Sequence, residues 1–95
     1  MLNSKFAPNG MVVAPHHLAA EAGLSVLREG GNALEAMIAA AAAIAVVYPH
    51  MNSIGGDGFW LISPANGDPV AIDACGAAGS GATIARYTEE GLDAV

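Results

Sequence analysis

Residues 30–62, GGNALEAMIAAAAAIAVVYPHMNSIGGDGFWLI, carry the decision about the fold. Gly30-Gly31 reads as a helix stop, because glycine takes the left-handed cap conformation without steric penalty. Asn32 reads as the N-cap of a new helix. Glu35, three residues on, completes a capping box in which Asn stands in for Ser or Thr. This second helix is predicted from Ala33 to about Val47 and is stopped by Pro49. Its faces are apolar nearly all round, which predicts central burial, and its alanines let neighbouring backbones approach closely. Gly55-Gly56-Asp57-Gly58 follows and reads as a place where backbone passes very close to something else.

Upstream, Met11-Val12-Val13-Ala14 reads as a short strand between Gly10 and Pro15. From His16 to about Glu29 the pattern turns helical: Leu18, Ala22 and Val26 recur at i, i+4 and i+8, with Leu27 beside them. Gly23 inside this helix costs up to ~1 kcal/mol against Ala, which points to a close helix contact there. Downstream, residues 58–63 (GFWLIS) read as a strand and Pro64 to Asp68 as a turn in which Asn66-Gly67 tolerates positive φ. Residues 69–74 (PVAIDA) read as the partner strand of a hairpin. Gly76 to Gly81 forms a small-residue loop, and residues 82–95 begin a further helical region. The order strand, helix, helix, strand, strand gives an α/β fold with mainly antiparallel pairing in its second half. Residues 1–9 read as a tail and 10–95 as one incomplete domain.

Composition supports incompleteness. Charged residues make up 13% of the 95-residue chain, where soluble domains run at about 25%. Hydrophobic residues make up 54%, yet aromatics only 5%. A short chain buries a smaller share of its surface than a long one and needs more polar cover, not less. The simplest resolution is a piece of a larger enzyme whose other parts cover this surface. Net charge is −6, with Lys5, Arg28 and Arg86 the basic residues. That excludes a nucleic-acid partner, which needs clustered cations, and argues against an anionic membrane surface. The apolar stretch from Ala36 to Tyr48 falls short of the ~20 residues of a membrane span. Residues 1–10 show no apolar signal region, so the cytoplasm is the expected compartment.

The chemistry-bearing residues are sparse. Residues 76–81 (GAAGSG) lack both the Lys-Ser/Thr of a phosphate loop and the Gly-x-Gly-x-x-Gly order of a dinucleotide site. His16 and His17 are adjacent and would point about 100° apart on a helix, so they make a poor metal pair; His50 is distant in sequence. Helix entry and surface roles suit them. Ser80 lacks the Gly-x-Ser-x-Gly spacing of a nucleophile elbow. The single Cys75 excludes an internal disulfide and offers no metal spacing. It reads as a buried inert thiol or as a residue lining a substrate pocket; as a nucleophile it has no nameable base. Asp57 and Asp73, nearest the glycine loops, could cap turns or touch a ligand. No metal and no cofactor is called for.

The segments GMVVAPH (10–16), LAAEAGLSVL (18–27), GGNALEAMIAAAAAIAVVYP (30–49) and SIGGDGFWLI (53–62) closely resemble the start of the γ-glutamyltranspeptidase family. The match runs over about residues 10–83, in the same order and with compatible gaps. The resemblance implies an N-terminal-nucleophile hydrolase with the αββα sandwich, of which this chain is the first part of the large subunit. In that family the precursor cuts itself in two. The new N-terminal Thr of the small subunit attacks an amide carbonyl with its own α-amine as base, and an oxyanion hole steadies the intermediate. That Thr lies beyond these 95 residues, so the chain alone is expected to be inactive. Its partners would be the rest of the large subunit, the small subunit and a small amide substrate.

One departure bears on the substrate. Glutamyl-specific members carry Arg-Glu-x-Ala-Pro after the second hairpin strand, where the Arg grips the substrate α-carboxylate. With the strand register kept, Cys75 stands at the Arg position and Gly76 at the Glu position, and a bidentate charge-assisted grip is lost. These two are the candidate substrate-binding residues. A branch acting on other small amides, such as oxamate amidohydrolase, fits better than a γ-glutamyltransferase or glutathione hydrolase. The competing non-enzymatic reading is a truncated remnant acting as an interaction module through its Ala-rich helix.

Overall fold

The computed structural model describes residues 3–92. The chain divides after Gly55 into two compact units.

The first unit is a helical hairpin of α1 (His17–Arg28) and α2 (Ala33–Val47). Its link is specified almost atom by atom. The Gly31 N–H donates to the Val26 carbonyl at 2.9 Å and the Gly30 N–H to the Leu27 carbonyl at 3.1 Å, the double bond pattern of a Schellman ending. Gly30 holds φ +91, which an L side chain would rarely adopt. Directly after, Asn32 Oδ1 accepts from the Glu35 N–H at 2.9 Å, while Glu35 Oε2 accepts from the Asn32 N–H at 2.8 Å. The expected capping box is thus formed in full, with bounds for α2 matching the expectation. At its far end Pro49 breaks the helix, and the Tyr48 carbonyl accepts from Asn52 Nδ2 at 2.9 Å.

The two helices meet along a seam of small residues: Ala19 and Gly23 on α1, Ala36 and Ala40 on α2 are all buried. A methyl group at Gly23 would meet the Ala36 carbonyl oxygen at 2.8 Å, Val12 Cγ1 at 2.9 Å and Ala40 Cβ at 3.4 Å. The close contact expected from a mid-helix glycine is therefore present. Expected central burial of α2 is not: Leu34, Met37, Ile38 and Val46 are exposed. Within its unit α2 packs on α1, which covers only the alanine stripe.

The expected first strand needs correction. Residues 10–14 form no strand, and among the described residues the sheet holds two strands, β1 (Phe59–Ile62) and β2 (Val70–Asp73). Val12 lies instead against Gly23 of α1, and a methyl at Gly10 would meet Leu27 Cδ1 at 3.2 Å. The β-branched residues favour an extended backbone, but a strand needs a hydrogen-bonding neighbour, and this segment runs beside a helix.

The second unit is the β1–β2 antiparallel hairpin, with Phe59 opposite Asp73 and Ile62 opposite Val70, followed by the short helix α3 (Ile84–Glu89). The Ala74 N–H adds one bond to the Gly58 carbonyl at 2.8 Å. Register puts Phe59, Leu61, Ala71 and Asp73 on one face and Trp60, Ile62, Val70 and Ile72 on the other. Of the helical region expected over residues 82–95, α3 is the part seen; residues 93–95 lie outside the described residues. Gly55 and Gly56 carry φ +90 and +98, with nothing within 4 Å of a side chain built at either. They serve a left-handed backbone, not the close approach expected of them. No helix among the described residues is long and apolar enough to cross a membrane.

Gly23→Ala tests the seam. Alanine gains up to ~1 kcal/mol of helix propensity, but overpacking against a backbone carbonyl costs ~1–3 kcal/mol. A net loss of about 1 kcal/mol is expected, read as a lowered midpoint in chemical unfolding followed by circular dichroism. Asn32→Ala, which removes the cap alone, is expected to cost ~0.5–2 kcal/mol in the same assay.

Candidate functional site

The candidate site lies where β2 ends. The ladder fixes Asp73 at the last paired position, opposite Phe59. Asp73 then turns its carboxylate onto the chain ahead: Oδ1 accepts from the Cys75 N–H at 3.1 Å. This i to i+2 bond is an Asx-turn, in which a short carboxylate side chain closes a ring with the backbone two residues on. It bends the chain out of the strand and leaves Cys75 half-buried as a free thiol. Gly76 follows with φ +76 and open space where a side chain would stand.

The electrostatics of this corner are set by the same pair. The nearby Cys75 thiol and the bond from its N–H hold the Asp73 carboxyl below the usual range. In return the adjacent carboxylate, aided by burial, pushes the Cys75 thiol up. A thiol held protonated beside an anion is a weak nucleophile. It can donate one weak hydrogen bond and fill space, but it cannot grip a carboxylate as a cation would. Beyond it, the small-residue loop reaches Thr83, whose Oγ1 caps α3 by accepting from the Arg86 N–H at 3.3 Å. Arg86 itself is paired with Glu90 at 3.0 Å.

Of the residues singled out from sequence, Cys75 and Gly76 stand together at the strand exit, and Asp73 takes the turn-capping role. Asp57 is exposed before β1, and Ser80 is exposed in the turn before α3. The histidines are drawn together more than their spacing suggested. His16 and His17 stack at 4.7 Å, Tyr48 lies 6.3 Å from His16, and His50 meets Tyr48 edge-on at 4.3 Å. The helical hairpin brings the start of α1 beside the end of α2, a juxtaposition readable only once the helices are known to fold back. Among the described residues no cluster has the makings of a metal site.

A profile of the family described as Gamma-glutamyltranspeptidase matches residues 19–95. This chain belongs to the γ-glutamyltranspeptidase family. It is 68% identical over 87 residues to the oxamate amidohydrolase proenzyme of Klebsiella pneumoniae, covering 92% of this chain and 16% of that protein. It is 41% identical over its whole length to the glutathione hydrolase-like YwrD proenzyme of Bacillus subtilis, 18% of that protein. Among solved structures, the γ-glutamyltranspeptidase of Pseudomonas nitroreducens complexed with L-DON matches with a TM-score of 0.79 and 35% identity, over 92% of this chain and 26% of that one. The fold is the N-terminal part of the N-terminal-nucleophile hydrolase fold of that family. The chain spans less than a fifth of the length of these curated relatives.

Asp73→Asn keeps the turn-closing acceptor but removes the charge that raises the Cys75 thiol. The thiolate fraction at a given pH should rise, so iodoacetamide should alkylate Cys75 faster near pH 8 than in the unsubstituted chain. An unchanged rate, measured by mass spectrometry, would contradict the pairing.

Proposed function

We propose that this chain is the N-terminal portion of the large subunit of an amidohydrolase that cleaves a small non-glutamyl amide such as oxamate. The nucleophile would be the Thr that heads the small subunit, contributed by sequence outside these 95 residues. Its Oγ adds to the amide carbonyl carbon, its α-amine takes the hydroxyl proton and passes it to the departing nitrogen, and water then hydrolyses the acyl-enzyme. Within these residues the role is to shape the substrate subsite through Cys75 and Gly76.

The observation carrying this reading is the strand exit, where a neutral thiol and a left-handed glycine stand at the positions that the family resemblance assigns to a gripping Arg and its Glu neighbour. Loss of a paired contact to a carboxylate is worth on the order of 2–5 kcal/mol. At 1.4 kcal/mol per tenfold, this is roughly thirtyfold to several thousandfold in affinity for a γ-glutamyl group. The two departures support each other, because φ +76 at residue 76 disfavours a glutamate there. The higher identity to the oxamate amidohydrolase proenzyme, 68% against 41% for the glutathione hydrolase-like relative, points the same way.

The test is made on the full-length autoprocessed enzyme. It should release ammonia from oxamate and turn over γ-glutamyl-p-nitroanilide poorly. Efficient glutamyl turnover with no oxamate hydrolysis would return the reading to a glutathione hydrolase. Cys75→Arg should lower KM for the glutamyl anilide at least tenfold; no change would mean that residue 75 does not face the substrate.

A further inference from the structure

One device outside the strand exit stands at the start of α1. The first N–H groups of a helix have no partner inside it, and they are usually capped by Ser, Thr, Asp or Asn. Here the cap is His16. Its backbone is extended, at φ −122 and ψ 132, and its Nδ1 accepts from the Leu18 N–H at 3.2 Å. An imidazole can accept at Nδ1 only while that nitrogen carries no proton, so this geometry requires the neutral ring with its hydrogen on Nε2. A protonated ring has two donors and no acceptor. It would leave the Leu18 N–H uncapped and set a positive charge against the positive end of the helix dipole.

From this we propose that the N-cap of α1 is a proton-operated latch: closed with neutral His16, opened when the ring takes up a proton. The groups around the ring favour opening once protonation begins. His17 stacks on it at 4.7 Å from the same helix and offers no counter-charge. From the segment after α2, Tyr48 lies 6.3 Å away and tilted by 50°, outside the ~6 Å within which a ring face holds a cation well. His50, edge-on to Tyr48 at 4.3 Å, completes the ring cluster of this corner. No carboxylate forms an ion pair with any of the three histidines among the described residues.

Opening is local. The Ala19 and Ala20 N–H groups donate to the His16 carbonyl at 3.1 and 3.2 Å, and these bonds do not depend on the ring. The seam at Gly23 lies further along the helix. The latch therefore controls the entry from Pro15 into α1, and with it the segment that lays Val12 on Gly23, without dissolving the hairpin.

The ¹⁵N-labelled 95-residue chain provides the test, followed by NMR from pH 8 to pH 5. The Leu18 amide resonance should move sigmoidally and share its midpoint with the His16 ring resonance. His16→Asn, which caps without titrating, should hold the Leu18 amide at its high-pH position throughout. His50→Gln should leave the transition in place. A Leu18 amide that stays still while the His16 ring titrates overturns the latch, as does one at a random-coil position at pH 8. A transition that survives in His16→Asn assigns the effect to another ring and overturns it equally.

Discussion

The approach of α1 to α2 at Gly23 is the constraint on which the first half of this chain depends. The space between Gly23 and the Ala36 carbonyl oxygen admits no methyl group. A backbone-to-backbone approach of this kind is possible only if the residues around it are small, which accounts for Ala19, Ala36 and Ala40 as the buried residues of the unit. It also requires that the helices reverse within a few residues. The consecutive Schellman ending and capping box do this, satisfying the Gly30, Gly31, Asn32 and Glu35 N–H groups. Of the alanines in residues 36–45, Ala36 and Ala40 form the α2 side of this close contact.

The devices that could be read in advance were local ones. A Gly-Gly-Asn-x-x-Glu run bonds to partners no more than five residues away, so its meaning survives removal from the fold. The Asx-turn at Asp73 is equally local, and the Asp-x-Cys spacing could have disclosed it. Other features were not legible for physical reasons. Glycine serves both positive φ and close approach, and nothing in Gly55-Gly56 says which; the backbone uses the first and Gly23 the second. Residues 11–14 have the composition of a strand, but strand formation is decided by a partner, and theirs is a helix. The meeting of His16, Tyr48 and His50 follows from the hairpin's reversal and has no periodicity of its own.

The two units also differ in how far they complete themselves. The helical hairpin buries a seam of its own. The β ribbon has two strands with Phe59 and Leu61 exposed on one face and Val70 and Ile72 on the other, and an isolated two-stranded hairpin is at best marginal in water. Membership of a family whose curated members are several times longer gives these faces a rationale: a ribbon with two apolar faces suits the middle of a layered fold.

On the proposed reading, the change at the Cys75 corner goes beyond removing an attraction. An arginine at residue 75 would bring a permanent cation to the strand exit. Cys75 brings a thiol whose ionisation the neighbouring Asp73 carboxylate opposes, and Asp73 accepts from the Cys75 N–H. Beside Asp73, the local charge is therefore more negative by one unit than an arginine would leave it. The α-carboxylate of a γ-glutamyl group placed there would meet repulsion in addition to losing a partner, and specificity commonly uses both elements. The left-handed backbone at Gly76 extends the argument from charge to conformation. A glutamate at residue 76 would require the loop itself to take another path, so on this reading Cys75→Arg returns the cation without its acidic neighbour.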